Sequence, residues 1–137
     1  WEELEVIFSG RGDYERLFEL FDSGSSELRV WGTGRPTREF LYVEDAARGI
    51  VLATEHHQST EPVNLGSGQE ISIEKLAEKI AELTGFQGEL LWDRDMPDGQ
   101  PRRQLDTSLA NELLGWQAQV SFEDGLQKTI QWWRENG

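Results

Sequence analysis

Cysteine is missing from all 137 residues of the chain, so disulfides and thiolate metal sites are excluded. Histidine is almost as scarce: His56 and His57 stand side by side, at what reads as a helix end. Solvated terminal residues are commoner there than ligands, so no metal is expected. No apolar run approaches the roughly 20 residues needed to cross a bilayer, and no signal peptide is readable at the start. These absences lead to the expectation of a cytoplasmic protein with no membrane partner. Positive charge is also short, with 13 Lys and Arg against 26 Asp and Glu and a net charge of −13. Duplex-binding proteins need a basic face, so nucleic acid is not an expected partner. The first residue is Trp1 and not methionine, which suggests a trimmed chain or a piece of something longer.

The length fits one domain and is enough to bury a core without staples. Val6–Phe8 has the character of a short strand, and Tyr14, Leu17, Phe18 and Phe21 follow helical spacing. Arg11-Gly12-Asp13 matches an integrin-recognition tripeptide and is read as a chance turn. Beyond a loop at 22–27, Leu28–Trp31 predicts a strand and Gly32–Thr37 a loop. Glu39–Val43 predicts a second strand with Phe40 and Tyr42 on one face. Ala46, Ala47, Ile50, Val51 and Thr54 mark a helix that ends near His56. Val63–Leu65 predicts another short strand. Ser72 is placed to cap a helix whose buried face is Ile73, Leu76, Ala77, Ile80 and Leu83, and Gly85 stops it. Glu89–Trp92 reads as a strand, 93–101 as a turn-rich loop, and Thr107–Leu114 as a short helix ended by Gly115. Ser121-x-x-Asp124 resembles a capping box for a final helix lined by Phe122, Leu126, Ile130 and Trp133. The pattern is a mixed α/β domain.

The segment "VWGTGRPTREFLYVEDAARGIVLATE", Val30–Glu55, poses the functional question, because Gly32 and Gly34 could cradle a phosphate. A dinucleotide fingerprint needs a third glycine and a following helix. Thr37 occupies the third position, and a strand follows. Gly10-x-Gly12 and Gly66-x-Gly68 fail the same test, with Glu15 and Ile71 at the third position. No Tyr-x-x-x-Lys pair is present: Tyr14 is followed four residues on by Phe18, and Tyr42 by Ala46. Glu44-Asp45 reads as a pair of helix N-terminal charges. What remains is a tryptophan beside a loop that lets backbone approach a ligand closely. Arg29, Arg35 and Arg38 lie in a ten-residue run without an acid. A second loop, "PDGQPRR" at 97–103, combines Asp98 with Arg102 and Arg103. Arginine for phosphate and carboxylate for sugar hydroxyls would suit that mixture. Two structural turns carrying surface charges would suit it as well.

The same segment closely resembles a signature of the GDP-L-fucose synthase family, NADPH-dependent 3,5-epimerase/4-reductases among the extended short-chain dehydrogenases/reductases. The match runs on through "PVNLGSGQEISIEKLAEKIAELTGFQGELLWDRDMPDGQPRRQLDTSLANELLGW" to "VSFEDGLQKTIQWWREN", about Leu28 to Asn136. The resemblance implies a carboxy-terminal nucleotide-sugar-binding domain over 28–137, preceded by a divergent segment, 1–27, with one helix. It implies GDP or a GDP-sugar as ligand, with Trp31 and Arg38 contacting substrate and Arg38 at the diphosphate. Asp98 would meet the nucleoside or its ribose, and Arg103 would assist. Arg16 would stand for a basic residue that family members carry upstream. The family's NADP loop, Ser-Tyr-Lys group, catalytic cysteine and catalytic histidine have no counterpart in this sequence. The implied domain is therefore without its Rossmann half, has no catalytic residue and no cofactor of its own. A binding module is the leading expectation. The alternatives are half of a two-chain enzyme, completed by a separate Rossmann-domain chain, and a truncated or recombined fragment that binds nothing and oligomerises. A homodimer is the expected assembly.

Overall fold

The computed structural model describes Gly24 and residues 26–136. The strand expected at Val6–Phe8, the helix expected over Tyr14–Phe21, and Arg16 lie outside the described residues. The chain divides into two compact units, one of residues through Pro36, Ser72–Pro101 and Gln127 onward, the other of Thr37–Ile71 and Arg102–Leu126.

The first unit is built on strands β1 (Glu27–Trp31) and β4 (Glu89–Asp93), which pair in parallel with Leu28 opposite Leu90 and Val30 opposite Trp92. Parallel strands need a long crossover, and the chain between them includes helix α2 (Ile73–Thr84). Period-2 alternation turns Leu28 and Val30 inward on β1, and helical spacing turns Ile73, Leu76, Ala77 and Ile80 inward on α2. Both ends of α2 follow from single residues. Ser72 Oγ accepts from the Lys75 amide at 3.2 Å. Gly85, at φ 78°, takes the left-handed turn that ends the helix. Residues 127–136 of the last helix, α4 (Phe122–Asn136), complete this unit and bury Ile130.

The second unit contains helix α1 (Val43–His56) and helix α3 (Ser108–Leu114). Its core is Ala110, Leu114 and Trp116, packed by Leu41, Leu52, Ala53, Val63 and Leu65. Asp45 is buried on the first turn of α1. Its carboxylate accepts from the amides of Gln119 and Val120 at 2.9 and 2.8 Å and pairs with Arg48 at 2.7 Å. The acidic pair at the start of α1 is thus half helix-end charge, Glu44, and half buried knot, Asp45. A small sheet in the order β3-β2-β5 joins β2 (Thr37–Glu39) to β3 (Glu70–Ser72) and β5 (Arg102–Arg103).

Two expected strands come out differently. The strand expected at Glu39–Val43 is β2, three residues long and shifted back to Thr37–Glu39. Its partner β5 supplies only two residues, so pairing stops. Phe40 then turns to meet Phe122, with ring centroids 5.8 Å apart, and Tyr42 lies against Gly125. Val63–Leu65 forms no strand; Val63 and Leu65 pack on the Trp116 core instead. The capping box at Ser121 is half made: Ser121 Oγ accepts from the Asp124 amide at 3.1 Å, while the Asp124 carboxylate takes the Ser121 hydroxyl at 2.6 Å. The shorter aspartate stops at the hydroxyl, where the usual glutamate reaches the backbone.

Candidate functional site

The glycine pair is explained within the first unit. Gly32 and Gly34 have φ of 82° and 73°, in the region that favours glycine. The space over each α-carbon is already filled. A β-carbon on Gly32 would strike the Asp98 carboxylate, and one on Gly34 would come within 2.8 Å of the Trp92 ring and 2.9 Å of Glu74. The loop carbonyls are also engaged. Gly34 O accepts from Glu74 N at 2.9 Å and Pro36 O from Ile73 N at 3.0 Å, so they satisfy amides at the start of α2 that an anion would otherwise seek. The two glycines lack the third glycine and the following helix of a dinucleotide loop. They form a tight structural turn, followed by β2 and not by a helix.

Trp31 closes β1 opposite Asp93 and is half-buried with its indole Nε1 inside. Asp98 fastens the loop that follows it. Its Oδ1 accepts from the Thr33 amide at 2.5 Å and its Oδ2 from the Thr33 hydroxyl at 2.8 Å. These bonds, the backbone one foremost, hold the Asp98 carboxyl below the usual range, with help from Arg35. The two loops singled out in the sequence therefore meet through one carboxylate. Asp98 and Thr33 form a clasp that spacing alone could not reveal, since 65 residues separate them.

Arg38 and Arg103 are brought together in the second unit. They are register partners on the parallel strands β2 and β5, so the pleat sends both side chains to one face of the sheet. Arg38 is half-buried, and its Nη1 donates to Thr37 O at 2.7 Å. Burial, and then the charge of Arg103, lower its pKa. The opposite face carries the acids. Arg102 donates to Glu70 through Nε, at 2.9 Å to each oxygen, and through Nη2 at 2.7 Å. Glu70 also takes the Thr37 hydroxyl at 2.7 Å, and these bonds, Arg102 first, lower its pKa. Of the adjacent arginines at 102 and 103, the first is committed to a carboxylate of its own sheet. The second shares a face with Arg38.

Sequence reasoning missed Thr33, Glu70 and Glu39. Each is an ordinary polar residue whose partner lies at least 29 residues away, beyond any local pattern. Among the described residues no cluster of His, Asp and Glu could hold a metal ion, and no helix is long and apolar enough to cross a membrane. An open cleft of about 710 Å³ in the second unit is lined by Gly68, Arg102 and Gln104–Ser108.

Comparison with known proteins matches this architecture. Residues 10–66 fit the model of the NAD dependent epimerase/dehydratase family. A probable GDP-L-fucose synthase 1 of Oryza sativa is 45% identical over 121 residues, 88% of this chain and 37% of the relative. A GDP-L-fucose synthetase from Naegleria fowleri, solved with NADP, superposes with a TM-score of 0.78 at 31% identity over 87% of this chain and 37% of that one. A UDP-glucose 4-epimerase of Thermotoga maritima, solved with UDP-glucose, gives a TM-score of 0.79 at 30% identity over 91% of this chain and 40% of that one. The chain spans about 37% of the length of the curated relative. It belongs to the NAD-dependent epimerase/dehydratase family, and within that family it is similar to the GDP-L-fucose synthases.

Proposed function

We propose that this chain is a nucleotide-sugar-binding part of a GDP-L-fucose synthase-like protein and that its ligand is GDP or a GDP-sugar. The observation that carries the reading is the pair Arg38 and Arg103, in register on β2 and β5 and facing the same way. Like charges so placed repel. A diphosphate on that face would relieve the repulsion. Guanidinium groups suit the purpose because each offers two parallel donors to phosphate oxygens. The relatives supply the nucleotide: the Oryza and Arabidopsis proteins are named for GDP-L-fucose. The family resemblance also assigns Trp31 and Asp98 to substrate. Asp98 retains acceptor capacity beyond its two bonds to Thr33, because an ionised carboxylate has about four lone-pair sites.

Calorimetric or NMR titration of the chain with GDP, GDP-fucose and NADPH is the test. Binding of both GDP ligands, with resonance shifts at Arg38 and Arg103 and none with NADPH, is expected. Silence with all three at millimolar concentration, where binding free energy falls to about 4 kcal/mol, would overturn the reading.

A further inference from the structure

The two arginines depend on a very short strand. Strand β5 is two residues long, so its ladder offers few backbone bonds to hold Arg103 beside Arg38. Glu39 is next to Arg38 on β2, and the pleat turns its side chain to the opposite face, toward Glu70 and Arg102. Each of its carboxylate oxygens accepts a backbone amide from a different segment. Oε1 takes Gly68 N at 2.7 Å, just before β3, and Oε2 takes Leu105 N at 2.8 Å, just after β5. The same two segments are tied again by Gln104 Nε2, which donates to Gly68 O at 3.2 Å. Gly66 is buried, and the place of its β-carbon is taken by the Glu39 carboxylate. An alanine there would compete with the glutamate for one space.

We infer that Glu39 is a positioning residue of the anion site: its carboxylate fastens the end of β5 and the turn before β3 to the central strand, and so keeps Arg103 in register with Arg38. The chemistry fits the task. Charge-assisted bonds from a carboxylate to backbone amides are about twice as strong as neutral ones. The negative charge also lies behind the sheet, not among the ligand-facing groups, so it steadies the arginines without competing for the phosphate. The inference rests on the proposed diphosphate-binding role of Arg38 and Arg103 and adds what holds them there.

The probes are GDP and inorganic pyrophosphate, titrated into the chain, Glu39→Gln, Gly66→Ala, Arg103→Ala and the double variant Glu39→Gln/Arg103→Ala. Glutamine keeps the shape but turns a donor toward one of the two amides, and should weaken both probes about tenfold. Gly66→Ala leaves Glu39 in the chain but displaces its carboxylate, and should do the same; it stands in if Glu39→Gln fails to fold. If Glu39 acts through Arg103, the two losses do not add, and the double variant binds about as weakly as Arg103→Ala alone. A purely structural role would give additive losses, and that result overturns the inference. Equal binding by the unaltered chain and Glu39→Gln overturns it too, with the diphosphate reading intact. No binding by the unaltered chain overturns both together.

Discussion

Three arginines in this chain differ in what they can still do, and the difference is set by their neighbours. Arg102 is held by Glu70 through three short contacts. Arg103, one residue on, faces the other way. Arg38 stands opposite it, half-buried. Arg38→Ala should therefore weaken GDP binding by one to two orders of magnitude, since a charge-assisted hydrogen bond contributes about 1.5–3 kcal/mol. Arg38→Lys should restore only part of it, because an ammonium lacks the planar fork. Calorimetry on the two variants measures both effects. Asp98 yields a prediction in pH. Its folded pKa is lowered by the Thr33 bonds, so the clasp contributes stability fully above the unfolded value of about 3.9. That contribution fades as pH falls through the lower, folded value. The Thr33 amide resonance should stay constant down to about pH 4 and move only below it. In Asp98→Asn that acid transition should vanish.

The helices and the strands differ in how far they could be read from sequence. α2 was legible at both ends because the determinants are local: a serine whose side chain takes an amide, and a glycine at positive φ. Ser72→Ala should cost about 1 kcal/mol, read as a lower urea midpoint with an unchanged slope. The strands were less legible because pairing is not local. A strand at Glu39–Val43 looked plausible by alternation, yet the ladder ends where β5 ends. β3 is three residues long, and "EIS" carries no signal of its own. The start of α1 holds the same lesson. Glu44 and Asp45 look alike in sequence, but only Asp45 is buried, because the segment at 117–120 brings two amides to its carboxylate and Arg48, three residues on in α1, pairs with it. Asp45→Ala should therefore cost about 2–4 kcal/mol by leaving those donors unmet. Glu44→Ala, on an exposed first turn, should cost a few tenths. Parallel urea titrations of the two variants separate the cases.

At the scale of the molecule, the family was carried by runs of residues and the site by charge geometry, and these were legible to different degrees. The loops at 31–38 and 97–103 stand in order along the chain, so their resemblance could be seen before any fold. That Asp98 clasps Thr33, and that Arg102 pairs with Glu70 while Arg103 shares a face with Arg38, required the structure. The reaction that the family resemblance implies sets the last prediction. Reducing a keto sugar requires a hydride donor held against the carbonyl and an acid that delivers a proton as the charge develops. In short-chain reductases that acid is a tyrosine whose pKa is lowered by a lysine four residues on. In this sequence Tyr14 is followed by Phe18 and Tyr42 by Ala46. Tyr42 is moreover placed at the start of α1, its ring against Gly125. The space over the α-carbons of Gly32 and Gly34 is filled by Asp98, Trp92 and Glu74. The purified 137-residue chain, given NADPH and a GDP-4-keto-6-deoxy sugar, should consume no NADPH above the blank and form no GDP-L-fucose. Turnover by the chain alone, with full-length enzyme excluded by mass spectrometry, would show that a proton donor exists outside the tyrosine–lysine pattern.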